Sequence, residues 1–178
     1  MELRLRLHHW EGRSPDLTAA AVAGFAAGAV LMVLELAWAA VFRSDALWRI
    51  PQLVAALTLG PYTTLHAPAH VFDPTIVGVA LLTHYALGIG FGIVLGAVIA
   101  GYHYDNDDGG GVSLPVIGAL FGAALYVVNF YGLTEAWGWF TEMRAWGTFV
   151  AHLVFGVTAA VLYGRLAHAR QRRHAARS

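Results

Sequence analysis

Cysteine is missing from the 178 residues, and so is lysine: all eleven basic side chains are arginine. The first absence excludes thiol chemistry and disulfides. Charge is scarce as well. Only 12% of residues are charged while 58% are hydrophobic, about half the charged fraction usual in a soluble domain. No polar stretch is long enough for a soluble domain, and no nucleophile–base arrangement is visible. The net formal charge is zero, and nothing points to nucleic-acid binding. "GIGFG" (88–92) lies inside an apolar helix with no strand before it, so it is no nucleotide loop. The expectation is a non-enzymatic chain without an obligate cofactor.

What is abundant is hydrocarbon in long runs. Residues 17–42, 75–102, 114–133 and 145–166 each reach the roughly 20 residues a helix needs to cross about 30 Å of bilayer core. Four such runs leave too little polar surface to cover them in water. The fold class is therefore an all-α membrane protein with four transmembrane helices. Residues 1–16 form an N-terminal segment, 17–166 the transmembrane domain and 167–178 a basic tail. The first apolar run is too long for the core of a signal peptide and is read as a span. Arg4, Arg6, Arg13, Arg165, Arg170, Arg172, Arg173 and Arg177 flank the outermost spans, against Arg43, Arg49 and Arg144 in the connections facing the other way. That bias places both termini on the cytoplasmic side of the membrane. Trp38, Trp48, Trp137, Trp139 and Trp146 then fall at the outer interface.

Local punctuation agrees with the spans. "SPD" (14–16) and "FDP" (72–74) set a capping oxygen beside a proline, and "SLP" (113–115) opens span three. "PQLVAALTLGP" in the first outer connection is too short to cross. Residues 51–59 are expected to form a helix at the outer interface or tucked against the bundle. The chain also repeats. "GFAAGAVLMVLE" aligns with "GALFGAALYVVN", so Gly24, Gly28 and Glu35 fall on Gly118, Gly122 and Asn129 at an offset of 94. "HYALGIGFGIVLG" aligns with "HLVFGVTAAVLYG", so His84, Gly88 and Gly96 fall on His152, Gly156 and Gly164 at an offset of 68. Two helical hairpins related by a pseudo-twofold along the membrane normal are expected.

At about 1.5 Å of rise per residue, Glu35, His84, Asn129 and His152 lie in one layer of the outer half of the bilayer. They share helix faces with Gly24, Gly28, Gly88, Gly92, Gly96, Gly118, Gly122, Gly156 and Gly164, and small residues at this spacing let helix backbones approach. Three readings of the layer follow. It is interhelical glue, with Glu35 on His84 and Asn129 on His152 or the pairs crossed. Alternatively it is a station on a proton or ion path in a small transporter. Or it holds a cofactor, with His84 and His152 on a haem or on a metal beside Glu35. In the outer connection, His66, His70 and Asp73 of "HAPAH" and its neighbour form a weak metal candidate, with Pro68 interrupting any continuous helix. Glu135 and Glu142, at the outer ends of spans three and four, are expected to be solvated or capping.

The pattern "VVNFYGLTEAWGWFTEMRAWGTFVAHLVFG", with "GFAAGAVLMVLE" ahead of it, resembles a group of small four-span bacterial inner-membrane proteins. Some of that group carry the label "sodium:proline symporter". The resemblance covers most of residues 17–166. It rests on Asn129, Phe130, Tyr131 and Gly132, the aromatic turn after them, and His152 to Gly156. The label implies transport, but alternating-access folds need discontinuous helices around a central site, more than four spans supply alone. The function expected is an accessory, assembly or stabilising subunit beside other membrane proteins in the bilayer, or a homo-oligomer.

Overall fold

The computed structural model describes residues 14–101 and 113–176. The segment with Arg4, Arg6 and Arg13, the connection at 102–112, and Arg177 lie outside the described residues. Helix α1 spans Leu17–Phe42, α2 Arg49–Leu59, α3 Pro61–Leu65, α4 Pro74–Gly101, α5 Ser113–Val127 and α6 Trp146–Ala175. No strand occurs among the described residues. Four helical stretches, Leu17–Phe42, Pro74–Gly101, Leu114–Glu135 and Trp146–Arg173, are long and apolar enough to cross a membrane.

Helix starts follow from side-chain capping. Asp16 accepts from the Ala19 amide at 2.9 Å. Asp73 accepts from the amides of Thr75 and Ile76 at 2.8 and 3.1 Å, satisfying donors that a first helical turn leaves unpaired. Gly60, at φ +83°, separates α2 from α3, a conformation that only glycine adopts without strain. Helix α6 runs beyond the apolar stretch ending at 166 and carries the arginines of the tail to Ala175. No glycine or proline interrupts 165–175, so no stop signal acts there. Arg170 Nη1 returns to Asp16 at 3.1 Å, tying this extension to the start of α1.

The third apolar stretch is not one uniform helix. After Val127 it widens into a π-helical turn, Val128–Gly132, then tightens into 3-10 turns at Leu133–Glu135 and Gly138–Met143. A π-turn leaves backbone groups out of the regular ladder. Here Arg144 Nε donates to the Phe130 carbonyl at 2.6 Å, and its Nη2 reaches Thr134 Oγ1 at 3.2 Å. Its guanidinium also lies 4.4 Å from the centre of the Tyr131 ring.

The long helices pack mainly in the order α4–α1–α6–α5, with a smaller contact of α4 on α6 where Gly96 meets Tyr163. Helix α1 packs on both α4 and α6, α6 packs on α5, and α4 and α5 barely meet. Hairpins closed around a twofold axis would make the α1–α6 and α4–α5 contacts alike, so the packing departs from the closed arrangement expected above. The main core lies between α1, α4 and α6 and includes Ala20, Ala23, Ala27, Leu95, Phe155 and Tyr163. Helix α2 packs on α4, its Ala55 against Ile76 and Ala80. A Thr58–Thr83 hydroxyl contact of 2.7 Å adds to that seam. Leu53 of α2 joins Tyr126, Phe130, Phe140 and Met143 in a second cluster.

Candidate functional site

The glycine seams set the spacing on which the site depends. A Cβ added at Gly24 would run into the Gly88 carbonyl and lie 2.8 Å from Gly92 Cα. One added at Gly92 would sit 2.5 Å from Gly24 Cα and 2.6 Å from the Ala20 carbonyl. The α1 and α4 backbones are therefore in direct contact there. Gly96 meets Ala20 Cβ in the same way, at 2.7 Å. One turn nearer the other end of α1 the approach relaxes: a Cβ at Gly28 would lie at ordinary distance, 3.7 Å from His84 Nε2 and 3.8 Å from Gly88 Cα. In the other hairpin, Gly118 faces the Gly156 carbonyl and Gly122 the His152 carbonyl, while Gly164 abuts Leu114 Cδ1 at 2.6 Å.

Beyond that point a small cleft of about 50 Å³ opens between α1, α2 and α4. Its walls are apolar except for Glu35 and His84. Met32, Trp48, Val54 and Leu81 supply much of the remainder. Glu35 is 4% exposed, and its Oε1 is buried without a hydrogen-bond partner. His84 is half-buried and shares 2.8 Å between Nε2 and the Gly28 carbonyl. A carbonyl only accepts, so Nε2 carries the proton, and in the neutral ring Nδ1 is left as an acceptor. Both polar groups at the cleft therefore offer acceptors.

The other two members of the layer lie elsewhere. His152 is buried, and its Nδ1–H donates to the Thr148 carbonyl at 2.8 Å. Its ring stands edge-on to Tyr126 and Phe130, with centroids 6.0 and 5.3 Å away. Asn129 sits half-buried in the π-helical turn. Neither borders the cleft. The direct pairs expected between Glu35, Asn129 and the two histidines are replaced by histidine bonds to helix carbonyls. His84 borders the cleft and His152 the aromatic cluster.

His66, His70 and Asp73 are not gathered either. His66 and His70 are exposed, His66 Nδ1–H donates back to the Tyr62 carbonyl at 2.9 Å, and both Asp73 contacts cap α4. Among the described residues no three His, Cys, Asp or Glu side chains lie together as a metal-holding set. Nor is Glu142 merely solvated. It takes a two-point contact from Arg49, Nε to Oε2 at 2.9 Å and Nη2 to Oε1 at 2.8 Å, which joins α2 to the connection before α6. Arg49 Nη1 also donates to the Leu65 carbonyl at 3.0 Å. Buried Gln52 donates to the carbonyls of Ala67 and Pro68, holding the "HAPAH" loop over α2. Opposite charges in the two outer connections were the one signal in the sequence for the first of these. Trp48 and Met32 carried none for the cleft.

Fold and cleft together define the class of molecule: among the described residues, helices without strands, four of them apolar and of membrane length, and a buried carboxyl on an apolar cleft. No family model, curated protein or solved structure matches the chain.

Proposed function

We infer that the protein is a non-enzymatic integral subunit of a bacterial inner membrane, built from two repeated hairpins with both termini cytoplasmic. It assembles laterally with other helical subunits, in the first instance copies of itself. The observation that carries this reading is the outward face of α4. Ala86, Gly90, Ala97 and Gly101 are exposed along it at helical spacing, and Cβ atoms added at Gly90 and Gly101 would meet nothing within 4 Å. Small residues spaced four apart are the main device by which helices associate in lipid. The seams inside this chain, at Gly24 with Gly88 and Gly118 with Gly156, already use it.

Support for the repeat comes from those same seams. Gly24 with Gly88 and Gly28 with His84 correspond, at the offsets of 94 and 68, to Gly118 with Gly156 and Gly122 with His152. The row α4–α1–α6–α5 then reads as two hairpins side by side. Its main internal junction, α1 on α6, would recur between copies as α5 on the next copy's α4. Val116, Leu120 and Val127 are exposed on α5 and offer side chains to the small-residue face. Helix α2 lies at the outer interface, with Trp48 at its start in the aromatic belt. The resemblance to small four-span inner-membrane proteins fits the same setting.

The absence of cysteine makes the test clean. Gly90→Cys and Leu120→Cys placed together should cross-link in native membranes into a ladder of dimers and larger species, and neither alone should. A monomer on native mass spectrometry with no cross-link rejects self-assembly. A different co-migrating protein makes the chain an accessory subunit instead. A second reading, a small transporter, is favoured by the Glu35 carboxyl, since buried ionisable groups within spans are functional candidates. Flux into proteoliposomes that disappears in Glu35→Gln would promote it.

A further inference from the structure

Lateral assembly leaves the far end of α6 unexplained. The helix runs on past its apolar stretch to Ala175, and basic side chains there share one side of it. We propose that Arg165, His168 and Arg172 form a docking surface for the headgroup of an anionic phospholipid in the cytoplasmic leaflet. This rests on the reading above that α6 crosses the membrane and ends in the cytoplasm, and it does not rest on self-assembly.

Helical spacing sets the face. Val150, Val154, Val161, Arg165, His168 and Arg172 follow one another at steps of three, four or seven, so they share one side of α6. None of them is buried, whereas Ala151, Phe155, Ala159 and Tyr163 pack into the core. The stripe that meets acyl chains as valine therefore continues into the headgroup region as arginine and histidine. An arginine at such a boundary buries its hydrocarbon stem and keeps its charged head in the polar layer. Arg170 is the contrast. It lies about 160° round the helix from Arg172, and its Nη1 is taken by Asp16 at the start of α1, at 3.1 Å.

Charge selects the lipid. No acidic residue follows Glu142 in the chain, so α6 itself neutralises nothing on this face. The ion pairs among the described residues, Arg49 with Glu142 and Arg170 with Asp16, involve neither Arg165 nor Arg172. Arg172 Nε donates to His168 Nε2 at 3.0 Å. That bond holds the guanidinium by one edge and leaves both Nη groups for a phosphate, which arginine recognises with paired donors. Basic clusters immediately cytoplasmic of a span are attracted to the anionic lipid of that leaflet. A zwitterionic lipid carries its own cation beside the phosphate and gains less. An acidic protein partner would have no need of a face continuous with the lipid-facing valines.

The test is native mass spectrometry of the purified full chain, released from dodecyl maltoside micelles holding equal amounts of dioleoyl phosphatidylglycerol and dioleoyl phosphatidylcholine. Phosphatidylglycerol should be retained at least ~5-fold over phosphatidylcholine, the factor expected of one arginine at an anionic surface. Arg165→Gln combined with Arg172→Gln should bring the two lipids to within ~2-fold of each other, whereas Arg170→Gln, on the opposite side, should leave the ratio within ~2-fold of wild type. Circular dichroism checks that the variants remain helical. Arg165→Lys with Arg172→Lys, which keeps the charge without the fork, should retain part of the preference and keeps the test alive should the glutamine pair misfold. Asp105→Asn, Asp107→Asn and Asp108→Asn together ask whether the acidic connection covers the face instead, and they should leave the ratio unchanged. Equal retention of the two lipids by wild type, an unchanged ratio in the glutamine pair or an equal loss in Arg170→Gln would each overturn the proposal. So would a rise of ~5-fold or more on neutralising the three aspartates. The same spectra give the oligomeric state, so a failure of lipid selectivity and a failure of self-assembly are read separately.

Discussion

Alanine at Gly92 and alanine at Gly90 should move stability in opposite directions, although the two sites are separated by a single residue of α4. At Gly92 the new Cβ would lie 2.5 Å from Gly24 Cα, 2.6 Å from the Ala20 carbonyl and 2.8 Å from the Gly24 nitrogen. Ordinary contact begins near 3.4 Å, so α4 must retreat by about 0.9 Å, and every neighbour is backbone that cannot swing aside. A gap of that size forfeits a quarter to a half of the dispersion energy of the contacts around it. Overpacking costs about 1–3 kcal/mol, and alanine returns up to about 1 kcal/mol of helix propensity, so a net loss of about 1–2 kcal/mol is expected. At Gly90 nothing lies within 4 Å, and only the propensity gain remains. The assay is equilibrium unfolding in mixed dodecyl maltoside and dodecyl sulfate micelles, followed by circular dichroism at 222 nm. A swap separates close approach from any general effect of glycine. Gly96→Ala collides with Ala20 Cβ at 2.7 Å, so Ala20→Gly should recover much of its loss in a double-mutant cycle. If Gly92→Ala were as stable as Gly90→Ala, or the swap were purely additive, backbone contact along this seam would not be what holds α1 to α4.

Arg144→Ala should cost about 1–2 kcal/mol in the same assay, because the Phe130 carbonyl loses a charge-assisted bond and Tyr131 its cation. Lysine, lacking the planar fork, should restore only part of this. Arg49→Ala and Glu142→Ala, combined in a cycle, should show a coupling of about 0.5–1 kcal/mol that weakens in high salt. The pair is partly exposed at 19% and 39%. Gly147→Ala should shift tryptophan emission as well as stability, since its Cβ would press 2.6 Å from Trp38 Cε2 and force that ring off its seat between α1 and α6.

The spans were legible because hydrocarbon length is a one-dimensional signal, and the caps at Asp16 and Asp73 because they are local. The order of the helices was not. In water an amphipathic stripe tells which face is buried, but α1 and α4 carry apolar residues all round. Val33 is exposed and Leu31 buried on one helix with no difference in polarity to mark them. Glycine was the surviving marker, and it reports which two faces touch without saying how pairs are arranged into a row. The layer of polar residues misled for a related reason. Equal depth suggested side-chain pairs, yet His84 Nε2 lies 2.8 Å from the Gly28 carbonyl of α1. The bond therefore goes to backbone, and Glu35 is left over. The π-turn around Asn129 leaves no trace in composition, because its distinguishing feature is where hydrogen bonds go.

Seam and cleft are one feature of the α1–α4 pair. Backbone contact at Gly24 and Gly92 fixes the helices at their closest point, and from there outward the chain places His84, Met32 and Glu35 where glycine stood before. Helices that touch at glycine and carry bulk beyond it must diverge, and the widening from collision at Gly24 to ordinary contact at Gly28 records that divergence. Helix α2 packs on α4, with Ala55 against Ile76 and Ala80, and has little contact with α1, so it does not close the gap. The unfilled remainder is the space beside Glu35. It follows that spreading α1 from α4 at Gly92 should alter the Glu35 cleft although no residue of the cleft has changed. Gly92→Ala should thus shift the fluorescence of Trp48, which borders the cleft, whereas Gly90→Ala should leave it unchanged. Unaltered fluorescence in a destabilised Gly92→Ala would mean that α2, rather than the glycine seam, sets the width of the cleft.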